Sequence, residues 1–239
     1  MKKLYVIGDS ISIHYGPYLQ QALQGVLVYA RKEGETEALL NLDNPQGANG
    51  GDSSMVLAFL QGLQRQGGLD ADLLLLNCGL HDIKTNPQTG QRQVSIDQYA
   101  ENLRAIVDLV ATMGPTLVWI RTTPCDEHVH NQPHMTFHRF AADAEAYNGV
   151  ADAIMGAAGV PLIDLHTFTR NLGPDLYCDH VHFHEAVRTQ QAAFIAGWLN
   201  HWLLEPRPAP CLSPVFLRGP MANGCISTVR QNQKHEPRT

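Results

Sequence analysis

No apolar run in this sequence approaches the ~20 residues that a membrane-spanning helix requires, which argues against a helical membrane span. An export leader is not expected either. Met1-Lys2-Lys3 is followed by only four apolar residues before Gly8-Asp9-Ser10, fewer than the ~7–15 such leaders carry. Charge is sparse at 17% of residues, and the balance is a net −6, the wrong sign for a general nucleic-acid binder. Cysteine is scarce and odd in number: Cys78, Cys125, Cys178, Cys211 and Cys225 form no C-x-x-C pair. That pattern suits reduced thiols better than a disulfide framework, so a cytoplasmic location is expected. Several familiar motifs are missing as well. There is no G-x-S-x-G elbow, no G-x-G-x-x-G or G-x-x-x-x-G-K-[ST] phosphate loop, no H-E-x-x-H metal helix and no internal repeat.

What remains is a chain of 239 residues with 44% hydrophobic content, enough for one large domain with a substantial core. Residues 206–239 stand apart. They hold six of the 14 prolines and the cations Arg207, Arg218, Arg230, Lys234 and Arg238 against Glu236, with no apolar periodicity. They read as a Pro-rich basic tail, expected to be mobile, behind a folded domain at 1–205. Within that domain short runs rich in Val, Ile and Leu predict strands at Leu4–Ile7, Val26–Tyr29, Leu73–Asn77, Leu117–Ile120 and Val160–Ile163. Their weak polar alternation fits parallel strands covered on both faces. Amphipathic stretches between them predict helices over Ser53–Gln66, Ser95–Met113, 136–157 and 185–204. The β-α-β-α rhythm implies a parallel sheet, whose ligands gather at the carboxyl ends of the strands.

Polar residues follow those strands. After the first comes Gly8-Asp9-Ser10, where a serine can serve as nucleophile or cap a helix. Asn49-Gly50-Gly51-Asp52-Ser53 precedes the first long helix, and glycine there allows close approach of the backbone to a ligand or simply makes a turn. Cys78-Gly79-Leu80-His81-Asp82 follows the third strand. Near the end, Asp179-His180-Val181-His182 places a carboxylate three residues before a histidine. A nucleophilic serine needs such a base, and the base needs a carboxylate to fix its tautomer.

The order of these motifs over residues 4 to about 204 resembles the SGNH hydrolases, also called the GDSL esterase/lipase superfamily. The resemblance implies an α/β fold, a three-layer α/β/α sandwich around a five-stranded parallel, flavodoxin-like sheet. It implies Ser10 as nucleophile, His182 as general base and Asp179 as the group that holds His182. The oxyanion donors would be the Ser10 N–H, the Gly51 N–H and a side chain from the family's G-x-N-D motif. Here that motif reads Gly79-Leu80-His81-Asp82, so His81 stands where the family has asparagine. Thr122-Thr123-Pro124 is compatible with the family's substrate-side loop. The insert Cys125 to His138, with Asp126, Glu127, His128, His130, His134 and His138, can line the substrate cleft, but a solvated loop is the favoured reading.

Two other readings remain open from the residues. His180, His182 and His184, or His128 with His130, could bind a metal in a metal-dependent hydrolase. Alternatively the chain could be a catalytically silent SGNH-like binding module, although such a module has no need of Ser10, Asp179 and His182 together. The favoured expectation is a serine esterase acting on a small-molecule or carbohydrate ester, short-acyl or O-acetyl, without cofactor or metal and without a nucleic-acid partner.

Overall fold

The computed structural model describes residues 1–205; the expected basic tail lies outside the described residues. Five strands form one parallel sheet: β1 (Lys2–Ile7), β2 (Leu27–Arg31), β3 (Leu73–Leu76), β4 (Thr116–Ile120) and β5 (Leu162–Ile163). Their order, β2-β1-β3-β4-β5, is the flavodoxin-like one. All four leucines of β3 are buried, as expected for a central strand covered on both sides. β2 departs from that pattern. It forms an edge of the sheet, and Val28 and Ala30 face outward between buried Leu27 and Arg31.

Helices cover both faces. On one side α1 (Ser10–Ala22) packs against α8 (Glu185–Leu204), beside α7 (Leu165–Arg170). On the other lie α3 (Ser53–Arg65), α4 (Ile96–Met113) and α6 (Ala141–Ala157). The short helices α2 (Glu35–Leu40) and α5 (Glu127–His130) sit in connections. The apolar stripe of α4, Tyr99, Leu103, Ile106 and Val110, is wholly buried, and Ser95 caps its start by accepting from the Gln98 N–H. Trp119 on β4 and Tyr147 on α6 are among the largest side chains of the same core.

One expectation about helices needs correction, and one helix was not anticipated. The helix anticipated over 136–157 begins only at Ala141, because Phe140 is extended and His138 exchanges backbone hydrogen bonds with Thr85. α1 carried no clear helical signal, since Gly16 and Pro17 interrupt it. No helix among the described residues is long and apolar enough to cross a membrane. Cys78, Cys125 and Cys178 are free thiols.

Candidate active site

β1 and β3 are neighbours, while the strands β2 and β4 lie on their outer sides; the chain therefore leaves the sheet in opposite directions at this pair. The turns after both strands open onto that crevice. After β1, Asp9 takes the capping role: its carboxylate accepts from the Ile11 N–H at 3.0 Å. Ser10 thereby becomes the first residue of α1, where backbone N–H groups have no partner within the helix. Its hydroxyl is free for other work. Ser10 Oγ lies 2.8 Å from His182 Nε2, and His182 Nδ1 lies 2.8 Å from Asp179 Oδ2.

The segment before α8 holds this line in place. Asp179 Oδ1 accepts from the backbone N–H groups of Val181 (2.9 Å) and His182 (2.7 Å), so one oxygen anchors the turn and the other faces the imidazole. Partial burial pushes the carboxyl up, but the hydrogen bonds from His182 and these two amides outweigh it and hold it well below the usual carboxylate range. His182 is only 2% exposed and Ser10 5%. His14 packs edge-on to the His182 ring at 5.0 Å; burial, with Arg188 and His182 nearby, pushes it down to about 4 and leaves it neutral.

The turn after β3 is tied down at each end. The Cys78 carbonyl accepts from the hydroxyls of Tyr99 (3.1 Å) and Thr122 (3.0 Å). Gly79 has φ +155, and a side chain there would collide with the Thr122 hydroxyl. Asp82 accepts the Ser53 N–H with both carboxylate oxygens, at 2.9 and 3.1 Å, joining this turn to the start of α3. Burial pushes Asp82 up to about 7 despite those bonds. His81 is 1% exposed, with Nδ1 buried and without a partner. Burial, reinforced by Lys84 and Arg139, holds it well below the ordinary histidine range, so it is a neutral ring with one N–H to give.

Gly51 sits on the other rim with φ +74, where a Cβ would press on Met55 Sδ and Pro45 Cβ. Its N–H donates to Asn49 Oδ1 at 3.0 Å, so this donor is engaged within its own loop. The structure therefore brings Ser10, Asp179 and His182 together, holds His81 neutral in the adjoining turn, and gives the Gly51 amide a partner of its own.

The insert is only in part the solvated loop anticipated, with His128 and His134 exposed. His130 is fully buried and Cys125 nearly so. His130 Nδ1 meets His180 Nδ1 at 2.8 Å, and His180 Nε2 meets Asp43 Oδ2 at 3.1 Å, linking the insert to the loop before α3. Sequence reasoning missed Asp43, Lys84 and Arg139 here, because nothing local marks them.

The metal reading fits these contacts poorly. Asp179, His180 and His182 do offer ligand atoms within 4.8 Å of one another. Each is already engaged: both Asp179 oxygens in the turn and with His182, both His182 nitrogens with Ser10 and Asp179, and both His180 nitrogens with His130 and Asp43. His184 belongs to neither group; it lies exposed near Asp175. His128 is exposed as well, apart from buried His130.

A hydroxyl, imidazole and carboxylate in this order are equipped for acyl transfer, and the comparisons with known proteins fall in that class. The family model of the GDSL-like lipase/acylhydrolases matches residues 6–187. The chain belongs to this family. As a GDSL-like acylhydrolase it is a hydrolase of ester bonds. Among solved structures it is similar to the lipase/acylhydrolase from Enterococcus faecalis, at 17% identity and TM-score 0.62, covering 87% of this chain and 100% of that one. It is similar to the acetyl xylan esterase AlAXEase at 14% identity and TM-score 0.61, covering 82% and 99%. Est24, a carbohydrate acetylesterase from Sinorhizobium meliloti, aligns at 14% identity and TM-score 0.56, covering 84% and 100%. At such identities these structures establish the fold alone. No curated protein matches the chain.

Proposed function

We propose that this GDSL-like acylhydrolase is a serine esterase that cleaves a short-chain ester, an O-acetyl group on a small molecule or carbohydrate being the favoured case, through an acyl-Ser10 intermediate. The observation that carries the mechanism is the unbroken hydrogen-bonded line from Ser10 Oγ through His182 to Asp179. His182 Nε2 takes the Ser10 proton as Oγ bonds to the ester carbonyl carbon. The carbonyl π pair moves onto oxygen, which the Ser10 N–H and a His81 N–H stabilise. Collapse of this intermediate breaks the bond to the alkoxy oxygen, and His182 returns the proton to the departing alcohol. Water then repeats the sequence: His182 accepts its proton, hydroxide adds to the acyl carbon, and Ser10 Oγ leaves with the proton back in place. Asp179 keeps the Nδ1–H tautomer throughout, so that Nε2 presents its lone pair to Ser10.

The preference for a small acyl group rests on the near-complete burial of Ser10 and His182. Two similar structures are esterases of acetyl groups on carbohydrate by their descriptions, which agrees with that preference. Turnover of p-nitrophenyl esters of increasing acyl length tests the substrate class, with acetate expected fastest. A fluorophosphonate should label Ser10 alone, and Ser10→Ala should abolish labelling and lower turnover by several orders of magnitude with the fold intact. Labelling at Ser12 instead, or full turnover by Ser10→Ala, removes Ser10 from the mechanism.

A further inference from the structure

Arg139 is the most deeply buried cation of the site, 2% exposed at the end of the insert. Among the described residues no carboxylate lies within ion-pair distance of its guanidinium. Its Nε donates to the Leu80 carbonyl at 2.7 Å, and its Nη1 is buried without a partner. Its guanidinium carbon lies over the Phe137 ring, 4.9 Å from the centroid, and the Lys84 ammonium approaches the same ring at 4.4 Å. Its main-chain N–H is tied to Asn131 Oδ1 at 2.8 Å, so the insert itself aims the side chain. The charges felt most strongly at this guanidinium include Asp43, Asp9 and Asp179, two of them in the turns that carry the reacting residues.

A buried guanidinium without a paired carboxylate is costly, and an apolar side chain of equal volume usually serves stability better. Packing alone therefore does not account for it. The Leu80 carbonyl it holds belongs to the peptide bond that joins Leu80 to His81. Two residues earlier the Cys78 carbonyl is held by Tyr99 and Thr122, the Gly79 carbonyl accepts from the Ile83 N–H at 3.0 Å, and the Asp82 side chain is held by Ser53. Backbone amides of Lys84 and Val94 hold the His81 and Asp82 carbonyls, and Arg139 adds the side-chain restraint on the Leu80–His81 peptide plane, from which the His81 ring projects. We propose that Arg139 is a positioning residue for acyl transfer, fixing the turn that presents His81 and placing a buried positive charge behind the carbonyl oxygen that becomes anionic. The proposal rests on the Ser10 mechanism and deepens it. Burial chiefly holds His81 well below the ordinary histidine range, and Lys84 and this cation act in the same direction, favouring the neutral donor form.

The full chain carrying Arg139→Met, and separately Arg139→Gln, tests this against Arg139→Lys. The readouts are kcat and KM on p-nitrophenyl acetate, the rate of fluorophosphonate labelling at Ser10, the NMR titration of His81 and the melting temperature. Misplacing a donor turn costs about 10² in rate. Both neutral variants should therefore lose about that factor in kcat and in labelling rate, with KM little changed, the melting temperature kept or raised, and the His81 titration moved upward. Arg139→Lys keeps the charge and should leave the His81 titration in place while recovering part of the rate. A folded neutral variant with full kcat and an unmoved His81 titration overturns the proposal. So does failure of both neutral variants to fold, which would assign Arg139 to the fold instead. If wild type itself is not labelled at Ser10, the underlying mechanism fails first; if wild type is labelled and the variants are labelled equally fast, only the role of Arg139 fails.

Discussion

Replacing Asp179 by asparagine and, separately, by alanine should produce opposite orders of stability and activity. Asp179 Oδ1 accepts from two backbone amides, whereas Oδ2 faces His182 Nδ1. Asparagine must keep its oxygen toward the two amides, so its NH₂ group lands opposite Nδ1. Two donors cannot face each other, and the ring adopts the other tautomer, with its proton on Nε2 against Ser10 Oγ. The base is then lost, an effect of about 10⁴ in kcat when the same change is made in a serine-protease triad. Alanine leaves a gap instead. Because the Asp179 side chain is 42% exposed, water can enter and accept the Nδ1–H, which preserves the productive tautomer. Only the charged hydrogen bond is lost, a term of about 1.5–3 kcal/mol, or roughly 10–150-fold in rate. Stability runs the other way. Alanine abandons both backbone amides at a cost of about 1–2 kcal/mol, a drop of about 2–8 °C in Tm for a domain of this size, while asparagine keeps them. Steady-state kinetics on p-nitrophenyl acetate and thermal unfolding of the same preparations give both orders. An asparagine variant as active as alanine or more so would refute the tautomer argument and reduce Asp179 to a structural clamp.

His81→Ala should lower kcat by about 10²–10³ with little change in KM, as removal of an oxyanion donor does, and His81→Asn should recover part of the loss. A destabilised alanine variant with full turnover per folded molecule would make His81 structural. Gly51→Ala should cost about 1–3 kcal/mol by forcing a side chain into a left-handed conformation against Met55 and Pro45, and an unchanged denaturant midpoint would contradict that. Asp82, raised from the ordinary carboxylate range to about 7 by burial, binds its proton more tightly folded than unfolded. Its contribution is complete below pH ~4 and is lost as the pH rises through about 7, by an amount on the order of a few kcal/mol. The difference in unfolding free energy between Asp82→Asn and wild type should therefore change sharply between these limits, and parallel pH profiles would show that Asp82 does not titrate in this way.

The strand-and-helix rhythm was legible in the sequence because it is written in local periodicity. The Leu73–Leu76 run reads as a short strand buried on both faces, and the spacing of Tyr99, Leu103, Ile106 and Val110 as a helix with one buried side. The order of Ser10, Gly79-Leu80-His81-Asp82 and Asp179-x-x-His182 was equally plain, since each motif follows an element and lies within a few residues. Where the local signal is weak the reading faltered. α1 hides behind Gly16 and Pro17, and packing against α8 makes it a helix in spite of them. The engagement of the Gly51 N–H by Asn49, the burial of His130 against His180, and the approach of Arg139 to Leu80 across 59 residues were all decided by tertiary structure. Periodicity reports which face of an element is buried, but not which distant side chain meets it there. Hydrogen bonds and charges over such separations exist only once the sheet has brought its strand ends together, so the sequence names the candidate groups and the fold supplies what orients them.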